Sequence, residues 1–261
     1  MSLLAIAGLK VAFDDRTVLH GVDLQLQRGQ FVALLGPNAA GKTTLLHAIA
    51  GIVAMRAGTV HIDGVDLMRD QARARNALGV GVAPHLLPGR LTGRECLRLF
   101  AGARALPDIP RGTLDLAEAL DLASMLDRTV SHYSLGTRQK LGILLGLLGT
   151  PPLLLLDEPI NGLDPLAAHA LKDHLRLRTR EHGDTVLMAT HALDVAERFV
   201  DCALLMIDGH LRHAWNAAAL DAIRRDPLQS LEGAMVAALR NDAARVEVQA
   251  GGVPPLGHGV A

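Results

Sequence analysis

The chain has 261 residues, of which 49% are hydrophobic and 20% charged, and its formal net charge is −1. That is the composition of a globular protein long enough to bury a sizeable core, and it excludes disorder as the default. Near-neutrality argues against a nucleic-acid binder that relies on a broad basic face, so no nucleic-acid partner is expected.

Aromatic residues make up only 2% of the chain, so aliphatic side chains must fill the interior. Cys96 and Cys202 lie far apart and form no CxxC pair, which suggests neither a zinc site nor a disulfide framework. Both are expected as buried small hydrophobes in a reducing compartment. The apolar start, Met1 to Leu9, lacks a basic leader and a small-residue cleavage pattern, so no signal peptide is expected. The longest apolar run, Leu141 to Leu156, would reach only about 24 Å as a helix against a hydrocarbon core of about 30 Å. Pro151-Pro152 breaks it in any case, and no membrane-spanning segment is expected.

Residues 3 to 35 alternate apolar and polar in short runs, such as Val22-Asp23-Leu24-Gln25-Leu26-Gln27 closed by Arg28-Gly29, which predicts strands joined by tight turns. Phe31 to Leu35 reads as a buried strand, and Leu45, Leu46, Ala48 and Ile49 are spaced as one helix face. Between them lies Gly36-Pro37-Asn38-Ala39-Ala40-Gly41-Lys42-Thr43-Thr44, two glycines with four residues between them followed by Lys and a hydroxyl residue. This is a phosphate-binding pattern in its expected strand-to-helix context. The glycines let backbone N–H groups and the helix N-terminus converge on an anion, and Lys42 adds positive charge for the β and γ phosphates. Thr43 is placed to ligate a phosphate-bound Mg²⁺. An ordinary turn could use glycine but has no reason to add Lys-Thr.

Further along, Gly58 to Gly64 predicts a short strand, Leu67 to Asn76 a polar helix, and Leu78 to Val82 a buried strand. From about 84 to 149 the spacing becomes helical, punctuated by Pro88, Pro107 and Pro110, and marks a candidate inserted helical subdomain. Thr92 with Glu95 three residues on forms a cap, and Ser134 opens the helix that carries Leu141, Ile143, Leu144, Leu147 and Leu148. A strand at Leu153 to Leu156, a helix at Pro165 to Glu181 and a strand at Thr185 to Ala189 imply a parallel sheet, with Asp157, Glu158 and His191 just beyond strand ends. Two short helices near Ala217 to Arg225 and Leu228 to Leu239 precede a Gly/Pro-rich tail from Gly251. The adjacent carboxylates have a chemical use: Asp157 can hold Mg²⁺, directly or through water, while Glu158 orients or deprotonates an attacking water. A solvated turn is the plainer explanation of two acids, and the presence of Lys42 in the same chain argues against it.

Tyr133-Ser134-Leu135-Gly136-Thr137-Arg138-Gln139, taken with the phosphate loop, Asp157-Glu158, Asn161-Gly162-Leu163-Asp164 and Thr190-His191, resembles the ATP-binding subunit of ABC transporters in order and spacing. The resemblance covers roughly residues 3 to 214. It implies an α/β fold: a P-loop NTPase core with a parallel sheet, an N-terminal antiparallel β subdomain and an inserted α-helical subdomain. That domain would occupy residues 1–240, with the helical subdomain at about 84–149, C-terminal helices at about 215–240 and a mobile tail over 241–261.

The same resemblance implies ATP and Mg²⁺ as cofactors. Phe13 would stack on adenine, a role to be weighed against a place in the core. Gly36, Pro37, Asn38, Ala39, Ala40, Gly41, Lys42, Thr43 and Thr44 would hold the phosphates, with Thr43 and Asp157 on the metal. Glu158, His191 and Lys42 would be catalytic; a helix cap is the alternative role for His191. In the family two cassettes pair head to tail, so Ser134 and Gly136 of one would contact the γ-phosphate held by the other, with Asp164 at the interface. The partners implied are a separate transmembrane permease and a second cassette, of the same or another chain, working at the cytoplasmic face of the membrane.

Three departures from the family pattern stand out. Ala39 replaces a usual Gly and penalises positive φ. The signature is Ser-Leu-Gly-Thr in place of Ser-Gly-Gly-Gln. The Gln usual after the Leu78 strand is Ala83 in an ungapped reading, or His85 after a two-residue shortening. The Ser-Leu-Gly-Thr signature with the helix start Leu91-Thr92-Gly93-Arg94-Glu95, and Leu231-Glu232-Gly233-Ala234 in a C-terminal helix, looks most like exporters of drugs, antibiotics or lipid-linked compounds. Two other functions compete: a soluble ABC ATPase acting on DNA or ribosomes, which would usually carry two cassettes, a long coiled coil or zinc cysteines, and a slow-turnover regulatory nucleotide-binding module.

Overall fold

Period-two alternation builds the first hairpin, from β1 (Ser2–Phe13) and β2 (Arg16–Gln27), which pair antiparallel. Val22, Leu24 and Leu26 are buried while Asp23, Gln25 and Gln27 face outward, as a half-buried strand requires. The structure is a computed structural model that describes residues 2–250, with side chains through 240. After β3 (Phe31–Leu35), strands β4 (Ala57–Ile62) and β5 (Val65–Asp66) complete a four-stranded antiparallel sheet in the order β2-β1-β4-β5.

The second sheet adds β6 (Leu78–Val80), β7 (Leu153–Asp157), β8 (Thr185–Ala189), β9 (Cys202–Ile207) and β10 (His210–Trp215), in the order β10-β9-β3-β8-β7-β6. All of its pairings are parallel except that of β10 with β9. Its central strands β3 and β8 are buried at every residue, as a parallel sheet covered on both faces demands. Alternate residues of β3 feed two cores. Phe31, Ala33 and Leu35 join one cluster, and Val32 and Leu34 join the other, which also contains the inner face of the antiparallel sheet.

Nine helices are described: α1 (Lys42–Ile49), α2 (Gln71–Asn76), α3 (Gly93–Ala103), α4 (Arg111–Ala119), α5 (Leu135–Leu147), α6 (Pro165–Glu181), α7 (Leu193–Phe199), α8 (Ala217–Arg225) and α9 (Leu231–Ala250). The Thr92 cap forms reciprocally, with the Glu95 N–H donating to Thr92 Oγ1 at 3.1 Å and the Thr92 N–H donating to Glu95 Oε2 at 2.7 Å. Leu97, Leu116, Leu141 and Leu144 of α3, α4 and α5 share one cluster with Leu154 and Leu156 of β7. Gly142 and Gly146 bring α5 against the end of β6 and the segment that follows it: the Val82 N–H donates to the Gly142 carbonyl at 3.0 Å, and a methyl at Gly142 would overlap the Val82 carbonyl.

Four expectations are corrected. The strand expected to run to Val82 ends at Val80, because the Val82 N–H is taken by α5. The helix expected from Leu67 begins at Gln71, since the Leu67 N–H bonds the Val60 carbonyl and Asp70 caps the first turn. The last helix, expected over Leu228 to Leu239, begins at Leu231, with Leu228 left exposed, and its backbone continues to Ala250. The Gly/Pro-rich tail expected from Gly251 lies outside the described residues. Cys96 is buried as expected, whereas Cys202 is only partly buried at the start of β9. No helix among the described residues is long and apolar enough to cross a membrane.

Candidate functional site

β3 delivers the chain into the phosphate loop, and only glycine can make the first turn. Gly36 has φ 149°, and a Cβ there would overlap the Met206 carbonyl. Ala39 adopts φ 63°, so the departure noted in the sequence places a methyl group on a left-handed residue. The loop is fastened to the β9–β10 turn, where the Gly209 N–H donates to the Ala40 carbonyl at 2.9 Å. Lys42 is buried, and its Nζ donates to the carbonyls of Gly36 at 2.7 Å and Pro37 at 3.0 Å. The ammonium is thereby held at the loop.

A cavity of about 490 Å³ opens on this loop from Asn38 to Thr44, and it is walled by Phe13, Arg16, Val18, Asp157 and Glu158. Phe13 is 48% exposed at the end of β1, so it belongs to the cavity wall and not to the core. Thr43 Oγ1 donates to Asp157 Oδ2 at 2.5 Å, so the loop and the β7 end meet through two oxygens.

Glu158 follows Asp157 with φ 46°, a left-handed conformation for a residue with a side chain, and its N–H donates to the Ala189 carbonyl at 2.9 Å. Its Oε1 lies 2.9 Å from His191 Nδ1. Its Oε2 is buried and has no hydrogen-bond partner among the described residues. A buried oxygen of that kind calls for a partner. His191 does not cap α7: the helix starts at Leu193, and it is Thr190 Oγ1 that accepts from the Ala192 N–H at 3.1 Å. The imidazole instead engages one oxygen of Glu158, while the other stays buried without a partner among the described residues.

Ser134 caps α5, its Oγ accepting from the Thr137 N–H at 3.1 Å. A Cβ at Gly136 would come within 2.6 Å of the Gly162 carbonyl, so that approach admits no side chain. Asp164 caps α6, accepting from the Ala167 N–H at 2.9 Å and from Lys140 Nζ at 2.8 Å. The Lys140 hydrogen bond, with the helix N–H, holds its carboxyl down to about 2. The structure therefore brings together Phe13, the phosphate loop, Asp157, Glu158 and, through Glu158, His191. Ser134, Gly136 and Asp164 are not among the residues that line this cavity.

Residues that sequence reasoning missed are Arg16 and Val18 in the cavity wall and Gln139, whose Nε2 donates to the Glu158 carbonyl at 3.3 Å. Arg16 could have been found as the cross-strand partner of Phe13 across the Asp14-Asp15 turn. Ala83 and His85 both border a second, larger groove of about 830 Å³ that also reaches Thr43, Asp157 and Glu158. Among the described residues no group of three or more His, Cys, Asp or Glu side chains could hold a metal.

Comparison with known proteins is consistent across sequence and structure. The ABC transporter family model matches residues 19–161. An uncharacterized ABC transporter ATP-binding protein of Bacillus subtilis is 36% identical over 212 residues, covering 80% of this chain and 68% of the relative. The Nod factor export ATP-binding protein I of Ralstonia nicotianae is 36% identical over 210 residues, covering 79% of this chain and 64% of the relative. The chain thus spans about two thirds of the length of these curated relatives. A solved structure of the ATP-binding subunit of an ABC transporter superposes with a TM-score of 0.80 at 32% identity, covering 91% of this chain and 99% of that one.

Proposed function

The chain belongs to the ABC transporter family, among its ATP-binding proteins, and from that premise we propose that it hydrolyses ATP to drive export through a separate membrane permease. The observation that carries the reading is the convergence, in one cavity, of the phosphate loop, the Thr43–Asp157 contact and Glu158, which His191 engages at Oε1. Phe13 takes the adenine on its exposed face. The loop N–H groups and Lys42 hold the phosphates, Lys42 exchanging the Gly36 and Pro37 carbonyls for phosphate oxygens.

Thr43 and Asp157 present adjacent hard oxygens, which fits Mg²⁺, a cation usually held by one or two protein oxygens together with substrate phosphates. Bound there, Mg²⁺ supplies neutralisation of charge on the β and γ phosphates. Glu158 Oε2 accepts a hydrogen bond from the attacking water, and His191 holds the carboxylate in that orientation through Oε1.

Cassettes of this family dimerise and work with membrane permeases. Because Ser134 and Gly136 lie outside the cavity that contains Lys42, the site is completed when a second cassette presents its own Ser134 and Gly136 head to tail. Asp164, fixed by Lys140, sits at the edge of that contact. The larger groove, with Ile52, Leu86 and Leu135 exposed along it, is where the permease engages at the cytoplasmic face of the membrane. The export direction is supported by the Ralstonia relative, whose name assigns it to export.

Mg²⁺-dependent ATP turnover of wild type and Glu158→Gln tests the reading. The variant is expected to lose roughly 10²- to 10⁴-fold in rate, the usual contribution of a positioned general base. Equal rates would sink the hydrolytic assignment.

A further inference from the structure

The cavity wall contains a cation that the phosphate loop and the acidic strand end do not account for. Arg16 opens β2 directly opposite Phe13, the two being paired across the Asp14-Asp15 turn. Residues paired in this way project from the same face of a hairpin, with Cβ atoms about 5 Å apart. Arg16 and Val18, two residues apart on one strand, share that face, and all three border the cavity. No hydrogen bond, ion pair or ring contact engages the Arg16 guanidinium among the described residues. The hairpin tip itself is anchored, Arg56 Nη2 donating to the Asp14 carbonyl at 2.6 Å.

The level of Arg16 along the nucleotide follows from the strand. A Cβ at Gly41 would meet the Val18 carbonyl oxygen in ordinary van der Waals contact, so Val18 marks the phosphate-loop end of the wall. Arg16 lies two residues nearer the turn, about 7 Å further out at the rise of an extended strand. That is the level of Phe13, at the end of the wall away from the phosphate loop, where the base and ribose would lie.

We propose that Arg16 is a nucleotide-binding residue that, beside Phe13, contacts the base and ribose half of ATP through its guanidinium. A base stacked on Phe13 leaves its rim over Arg16, where the planar cation meets π-density and ring or ribose oxygen and nitrogen acceptors. Such a contact is indifferent to the γ-phosphate. It is made equally before and after hydrolysis, and so acts on binding without favouring the transition state. The inference rests on the ATP-site reading above.

The test measures the affinity of the full chain for ATP, ADP and AMP in wild type, Arg16→Ala, Arg16→Lys and Lys42→Ala, together with steady-state turnover. Arg16→Ala is expected to weaken ATP and ADP by the same factor, about 5-fold, with KM raised and kcat unchanged. Arg16→Lys, which keeps the charge and loses the plane, is expected to recover only part of that loss. Unchanged affinity for ATP and ADP in Arg16→Ala, or a loss confined to ATP, would overturn the proposal. If Lys42→Ala also leaves ATP binding intact, the ATP-site reading itself fails. Loss in Lys42→Ala with no effect of Arg16→Ala overturns the Arg16 assignment alone.

Discussion

Replacing Arg178 by Ala should be among the most destabilising single changes in the protein. The Arg178 side chain is 7% exposed and that of Asp184 is 9% exposed, and Nε meets Oδ2 at 2.6 Å. The same guanidinium donates to the carbonyls of Leu147 at 3.1 Å and Pro151 at 3.4 Å, which end α5 and lead into β7. One side chain thus ties together the end of α6, the end of the helix that Ser134 opens, and the entry to the strand that carries Asp157 and Glu158. Removing it strands a buried carboxylate, which costs about 3–5 kcal/mol. Set against a total stability of roughly 5–15 kcal/mol, that is a large share. Urea unfolding followed through Trp215, the chain's one tryptophan and a buried one, measures the loss. Removing both charges in Arg178→Met/Asp184→Leu should leave a protein more stable than Arg178→Ala by at least about 1 kcal/mol, because no unpaired charge remains. A loss below about 1 kcal/mol in Arg178→Ala would show that the pair is not the dry clamp its geometry indicates.

Ala39→Gly should stabilise the fold slightly: relief of the left-handed Ala conformation is worth about 1–2 kcal/mol, and the added freedom of the unfolded chain takes back about 0.4–1 kcal/mol. A lower urea midpoint in the variant would contradict a positive φ at that residue. His174, half-buried among α4, α5 and α6, has its imidazole pushed from 6.5 down to about 4 by burial first, then by Arg178 and His182, against an opposing pull from Asp184. Its folded pKa lies below its unfolded one, so between pH 6.5 and about 4 the unfolded chain binds the extra proton and stability falls with acidification, by at most about 3 kcal/mol. Unfolding measured at pH 7 and pH 4.5 should show a smaller loss in His174→Gln than in wild type, and parallel losses would remove His174 as the cause.

How much of this was legible beforehand depends on whether the determining forces are local. α6, β8 and α8 match their expected bounds because capping residues and breakers sit in the sequence itself: Asp164 and Pro165 start α6, and Asn216 caps α8. The phosphate loop and the acid pair were legible for the same reason, as contiguous strings whose chemistry dictates their order. The failures arose where tertiary contacts overrode local pattern. Leu78–Val82 has strand character throughout, yet its last N–H is claimed by Gly142 of α5. Arg16 was passed over because an arginine after a turn reads as a solvated charge unless the hairpin register is used to set it opposite Phe13. The contact of His191 with Glu158 needed the strand ends aligned in space, since the two are 33 positions apart in sequence.

We propose that this chain closes head to tail with a second cassette on ATP and that the pair opens on hydrolysis, with the Ser134–Gly136 segment completing the site across the contact. The most direct measurement is the dimer fraction of wild type and Glu158→Gln in excess ATP, by size-exclusion chromatography with light scattering. With Oε2 no longer a carboxylate oxygen able to take the water's proton, Glu158→Gln should trap ATP and accumulate as dimer, while wild type, turning over, remains largely monomeric. Equal monomer fractions in the two proteins would contradict the account.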